Sequence, residues 1–177
     1  MRPLLRWLAL CACAFLALQL FFVLRIAAMV VVDPQSTAFE RSEAWRILND
    51  KGSLPWRQQW VPYAQISVHL KRAVIAAEDA NFTEHEGVDW EAIERAYESN
   101  KKKGKVLRGG STITMQLAKN LFLSGERSYL RKGQELVITY MIEALMSKRR
   151  ILEIYLNVAE WGVGVFGCEA GARHYFG

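Results

Sequence analysis

Glu78 and Asp79 stand side by side at the end of the apolar stretch Ala73–Ala77, and Phe82, His85 and Gly87 follow closely. A carboxylate at a helix C-terminus faces the negative pole of the helix dipole. That setting suits a group that takes up and gives back protons. The structural alternative is a pair of turn hydrogen bonds or a salt bridge.

A second stretch has different chemistry. Gly109-Gly110-Ser111-Thr112 feeds a helix start, where free backbone N–H groups and two hydroxyls favour an anion. Gln116 and Asn120 are four residues apart, and Lys119 is three from Gln116, so the three share one side of a helix. No Lys-Ser/Thr pair follows the glycines, which excludes a P-loop. The plain alternative is an N-cap with a solvated polar face. Arg127, Arg131 and Lys132 add positive charge, and Glu135 adds a second acid. Glu135 is four residues from Arg131 and three from Lys132, so an intrahelical ion pair fits it as well as a catalytic role.

The elements that must position these groups read as helices. Ser67 caps a helix running through Ala80, and Asp89 caps one from Trp90 to about Lys101. Ser111 precedes the apolar positions Ile113, Met115, Leu117, Leu121 and Phe122. Further helices are expected from Tyr129 to about Met146, from Ser147 or Lys148 through Asn157, and from Gly167 to Tyr175. On the helix of Lys148–Asn157 the Ile, Leu and Tyr face belongs to the core, with Glu153 and Asn157 as buried polar connectors. No alternating strand pattern and no Asn-Gly hairpin is present. Trp161–Gly167 reads as a glycine-rich turn that lets backbone pass close to something. The class is all-α. Lys101–Arg108 reads as a loop with a run of lysines, either a solvated surface or a flap over an anionic site.

Ahead of this domain, Leu8–Leu24 is apolar for 17 residues with Gln19 as its only strongly polar member. As a helix, Trp7–Leu24 would be roughly 27 Å long, about one hydrocarbon core. Arg2 and Arg6 precede it, so the amino terminus is expected in the cytoplasm and the remainder outside. Residues 1–6 are then cytoplasmic, 7–32 an uncleaved anchor, 33–65 a juxtamembrane segment and 66–177 the main domain. A cleaved signal peptide is the competing reading, but its apolar core is shorter. The net charge is +5. Without Arg2, Arg6 and Arg25 the chain has 20 basic and 18 acidic residues, a net charge of +2, too mild for a nucleic-acid binder. Cys11, Cys13 and Cys168 give no disulfide framework.

Five motifs, in order, resemble those of the peptidoglycan glycosyltransferases: Glu78-Asp79-x-x-Phe82-x-x-His85-x-Gly87; Gly109-Gly110-Ser111-Thr112-Ile113-Thr114-x-Gln116; Arg131-Lys132-x-x-Glu135; Lys148-x-x-Ile151-Leu152-Glu153-x-Tyr155-Leu156-Asn157; and Gly164-x-Phe166-Gly167 leading to Tyr175-Phe176-Gly177. The resemblance covers about Ile66–Gly177. It implies a lysozyme-like, two-lobed, all-α domain at the bacterial inner membrane, with the catalytic part periplasmic. It implies that lipid II is polymerised into β-1,4-linked glycan with inversion and release of undecaprenyl diphosphate. Glu78 would be the general base. Glu135 would be a second catalytic acid, near the diphosphate or a divalent ion such as magnesium or manganese. Lys119 and Arg127 match diphosphate-binding positions, and Ser111, Gln116 and Asn120 would line the donor pocket. The partners implied are lipid II, the growing lipid-linked glycan, the membrane and other wall-synthesis and division proteins.

Met115 stands where the family commonly has Gln, and Phe166 where Tyr is frequent. Family domains continue through further helices, so a domain truncated at its C-terminal end is expected. The rival readings are a lytic enzyme with Glu78 as general acid, and an inactive membrane-anchored scaffold. Positive charge at Lys119 and Arg127 favours a diphosphate over simple hydrolysis.

Overall fold

The structure is a computed structural model and describes residues 2–104, 109–126 and 128–177. Its helices are α1 (Arg2–Met29), α2 (Ala38–Lys51), α3 (Val68–Glu78), α4 (Trp90–Lys103), α5 (Ile113–Phe122), α6 (Tyr129–Leu145), α7 (Lys148–Val158) and α8 (Cys168–Phe176). A 3-10 turn spans Tyr63–Gln65. The all-α expectation holds for nearly all of the architecture.

Helix α5 lies at the centre. Ile113, Leu117, Ala118 and Leu121 are buried, and so are the polar Thr114 and Asn120. It packs against α6, α7 and α2. Ile138 and Ile142 from α6 and Ile151, Ile154 and Leu156 from α7 close the core around it. The end of α3, with Glu78 and its C-cap Asp79, lies at α5's N-terminal side, so the core fixes that end of the helix against them.

Three short strands, absent from the sequence reading, form one sheet in the order β1-β3-β2. They are β1 (Arg57–Gln58), β2 (Glu160–Gly162) and β3 (Val165–Phe166). β1 runs parallel to β3 and β2 antiparallel to it. Strands this short leave no alternation to detect. The glycine-rich turn is the β2–β3 hairpin. Gly164 has φ +75°, and a Cβ there would sit 2.2 Å from the carbonyl oxygen of Pro55. The glycine therefore lets β1 approach, and Arg57 N–H donates to Gly164 O at 2.8 Å.

The segment before α3 packs on the domain. Trp56 stacks on Phe166 with ring centroids 4.5 Å apart. The connectors expected on α7 hold this segment: Asn157 Oδ1 accepts from Val61 N at 2.7 Å, and Glu153 Oε1 accepts from Tyr63 N at 2.7 Å. Glu40 on α2 is buried, accepts from Thr37 N at 2.7 Å and from Gln58 Nε2 at 2.8 Å, and is pushed up in pKa chiefly by burial. Thr37 and Glu40 form a reciprocal capping box.

Helix α1 is continuous through Arg25 to Met29. Its stretch Pro3–Met29 is long and apolar enough to cross a membrane. Most of α1 is exposed, but Phe22, Ile26 and Met29, on one helical face, are buried in the domain core. Phe22 meets Phe122 edge-on at 5.2 Å. Gln19 and Gln134 exchange amide hydrogen bonds of 3.2 and 3.1 Å. Arg150 Nε donates to Met29 O at 2.9 Å, satisfying a carbonyl of the last turn of α1, and its Nη2 pairs with Asp33 at 2.8 Å. Beyond Arg25, Ile26 and Met29 are thus seated on the domain.

Candidate active site

α3 ends at Glu78, two residues earlier than its expected end, and Asp79 is the C-cap. The two acids then diverge. Asp79 turns inward: its Oδ1 lies 2.8 Å from His85 Nε2 and its Oδ2 accepts from Ile113 N at 3.0 Å. His85 Nδ1 accepts from Gly87 N at 3.1 Å, which leaves the ring proton on Nε2, donated to Asp79. Asp79 therefore satisfies a first-turn N–H of α5 and pins the loop that follows α3. Lys148 supports the same loop, donating to His85 O at 2.6 Å and Glu143 Oε1 at 2.8 Å.

Glu78 turns outward and is exposed. Its one hydrogen bond among the described residues comes from Gln116 Nε2 to Oε2, at 2.9 Å. It lines a cavity of about 330 Å³ together with Asn81, Asp89, Arg95, Ser111 and Gln116. Asp89 caps α4 through Ala92 N at 2.7 Å and accepts from Asn81 Nδ2 at 2.9 Å. The Ala92 N–H holds the Asp89 carboxyl below its usual range, against some opposition from burial. Asn81 and Arg95 were not singled out in the sequence, because nothing local separates them from ordinary turn and helix-surface residues.

The cap of α5 is Thr112, whose hydroxyl accepts from Met115 N at 3.2 Å. Ser111 is left free of that duty and accepts instead from Lys132 Nζ at 3.2 Å. This contact joins the acidic cavity to a basic region. Glu135, 2% exposed, accepts from Arg131 Nη1 at 2.6 Å through Oε2 and from Lys132 Nζ through Oε1. Lys119 is partly buried over the Phe39 ring, 5.4 Å from its centroid. Burial chiefly lowers the Lys119 pKa; Glu135 opposes this, while Arg131 and Lys132 add to it.

Of the predicted site residues, Glu78, Ser111 and Gln116 share one cavity. Lys119 and Glu135 belong to the basic region beyond Ser111. Asn120 is buried one turn further along α5, and its Oδ1 has no hydrogen-bond partner among the described residues. Arg127, and the Lys105–Arg108 part of the basic loop, lie outside the described residues. Both Glu135 oxygens are occupied by cations, and no group of three or more His, Cys, Asp or Glu converges among the described residues. With both oxygens so engaged, Glu135 offers no free oxygen to a divalent ion among the described residues. What it does is hold Arg131 and Lys132.

The site is thus an exposed carboxylate beside a row of cations, on an apolar-anchored helical domain. Residues 49–177 match the model of the transglycosylase family, and the chain belongs to that family. Over 179 residues it is 59% identical to the biosynthetic peptidoglycan transglycosylase of Herminiimonas arsenicoxydans, an alignment covering 100% of this chain and 77% of that protein. It is 58% identical over 178 residues to the protein of the same name in Janthinobacterium sp. (strain Marseille), with 100% and 77% covered. For that of Paraburkholderia xenovorans (strain LB400) the identity is 57% over 175 residues, with 97% and 73% covered.

Proposed function

We propose that this chain is a peptidoglycan glycosyltransferase that joins lipid II units into β-1,4-linked glycan, with Glu78 as general base. The observation that carries the assignment is Glu78 itself: an exposed carboxylate, oriented by one amide, at a cavity whose Ser111 is held by Lys132 of the basic region. In the reaction the acceptor's sugar 4-hydroxyl gives its proton to Glu78. Its oxygen forms a bond to the donor's anomeric carbon from the face opposite the leaving group. The bond from that carbon to the phosphate oxygen breaks, and undecaprenyl diphosphate leaves with both electrons. Inversion follows from the opposed faces.

Negative charge grows on the diphosphate as it leaves, and cations fixed beforehand stabilise it at little reorganisation cost. Lys119, Arg131 and Lys132 fill this role, with Arg127 as a further contributor. Glu135 keeps two of them in place, which is its part in catalysis. Ser111, Gln116 and Asn120 supply the polar lining. Asn120 Oδ1 and Arg131 Nε, both buried without partners among the described residues, are groups that a polar ligand would satisfy.

The anchor, the juxtamembrane segment and the domain divide at about residues 7–32, 33–65 and 66–177, with the domain in the periplasm above the inner membrane. Arg2 and Arg6 ahead of the apolar run support that orientation. On α6, Tyr129 and Leu130 are 98% and 90% exposed, next to the anchor-facing Gln134, and suit contact with lipid. Growing lipid-linked glycan is the donor, and other wall-synthesis and division proteins are candidate partners. The lytic and scaffold readings lose ground to the family membership and to the row of cations.

The test is incubation of purified protein with lipid II and, separately, with finished sacculi. Glycan polymer from lipid II with intact sacculi is expected; solubilised sacculi with unchanged lipid II would reverse the assignment.

The basic region also sets a pH dependence. A lysine whose pKa is lowered loses its charge as pH rises sooner than an ordinary lysine does. Donor use should therefore weaken on the alkaline side, seen as a rising KM for a preformed lipid-linked glycan donor. Lys119→Arg should remove that rise because the guanidinium stays charged. Lys119→Ala should raise KM at every pH with little loss of thermal stability. An unchanged alkaline limb in Lys119→Arg would take the titration away from Lys119.

A further inference from the structure

Tyr155 sits on α7 in the core face of that helix and is only 6% exposed. Its ring fills space among apolar neighbours, as the sequence pattern implies. Its hydroxyl does something the pattern does not reveal. It donates to Gln116 Oε1 at 3.0 Å, and Gln116 Nε2 in turn donates to Glu78 Oε2 at 2.9 Å.

We infer that Tyr155 is a positioning residue for the reaction: its phenol fixes which way the Gln116 amide faces, and the amide aims Glu78. This rests on Glu78 being the base. The argument is one of donors and acceptors. A phenol O–H has one proton to give, and an amide has one donating and one accepting end. With the amide as it stands, both contacts are favourable. Turned over, its oxygen would face the Glu78 carboxylate, acceptor against acceptor, and its N–H₂ would face the phenol with that proton unplaced. Such a buried, unplaced donor is costly. Burial, and then the charges of Glu78 and Asp79, raise the Tyr155 pKa, so the phenol remains a donor at any working pH.

The arrangement engages one oxygen of Glu78 and leaves Oε1 without a hydrogen-bond partner among the described residues, available for the incoming hydroxyl proton. Gln116 reaches Glu78 from α5, and Tyr155 reaches Gln116 from α7. The aim of the base is thereby tied to the packing of two core helices. An exposed glutamate at a helix end would otherwise lose side-chain freedom only when substrate arrives.

Acting through another residue has a signature that packing lacks, namely non-additivity. The experiment compares four full-length proteins with lipid II as substrate: parent, Tyr155→Phe, Gln116→Leu and the double variant. Tyr155→Phe is expected to lower kcat about tenfold or more, with KM within about twofold and the melting temperature near the parent's. The double variant is expected to be no slower than Gln116→Leu alone, because once the amide is gone the phenol has nothing left to orient. Parent-like kcat in Tyr155→Phe overturns the inference. So does a double variant slowed by the product of the two single effects. A Tyr155→Phe protein that melts far below the parent assigns the hydroxyl to the core and overturns it too. Glu78→Gln, run alongside, separates the two levels. If it polymerises at the parent rate, the assignment of Glu78 itself has failed. If it is inactive while the cycle is multiplicative, only the role of Tyr155 has failed.

Discussion

Glu78→Gln lowers the rate of lipid II polymerisation by about 10²–10⁴-fold, the usual contribution of a general base, and leaves folding and donor binding close to the parent's. Glutamine keeps the shape of the side chain and can still meet Gln116, but it takes no proton at neutral pH. Because Glu78 is exposed and has a single hydrogen bond among the described residues, the change removes little that holds the protein together. The measurement is single-preparation kinetics with purified variant, together with its melting temperature and its affinity for a non-reacting donor analogue. Polymerisation near the parent rate would sink the assignment.

The neighbouring acid gives the opposite result. Asp79→Ala costs about 2–6 kcal/mol of stability, because the buried Ile113 N–H and the partly buried His85 Nε2–H lose their acceptor at once, at about 1–3 kcal/mol each. Asp79→Asn is nearly as harmful, since its amide offers one acceptor and turns an N–H₂ toward the other donor. Thermal unfolding in detergent measures the loss. Activity of the variant well below its melting temperature should recover toward the parent's, which Glu78→Gln cannot do. A variant as stable as the parent but inactive would move Asp79 from the scaffold to the chemistry.

Adjacent acids with such different duties show where sequence reasoning reaches and where it stops. Helix period and caps placed α3 to α8 to within a few residues, because N-caps and apolar faces are local properties. The motifs marked Glu78, Ser111, Gln116 and Lys119 as a set. Which way each side chain turns is decided by partners more than thirty residues away, such as Ile113 for Asp79 and Gln116 for Glu78, and spacing carries no record of that. The Ser111 and Thr112 pair was similarly open: either hydroxyl can cap α5, and the Lys132 contact shows which one is spare. Tyr155 was hidden in another way, since an i,i+4 apolar face accounts for its ring and says nothing of its oxygen. The sheet was missed because it is built on Gly164 and a close approach to Pro55, which sequence registers only as permissive backbone.

The seating of α1 on α5 and α6 has a consequence for how the enzyme meets its substrate. A catalytic head on a loose leash wanders over a hemisphere of heights and headings and must find the bilayer afresh for each encounter. Here Gln19, Phe22, Ile26 and Met29 seat α1 directly on the domain that carries the cleft. The depth and compass bearing of Glu78 are therefore tied to the face of a helix long and apolar enough to cross a lipid bilayer. A substrate confined to two dimensions by its polyprenyl tail then always finds the cleft at the same latitude, and the search between them becomes one of sliding within a plane.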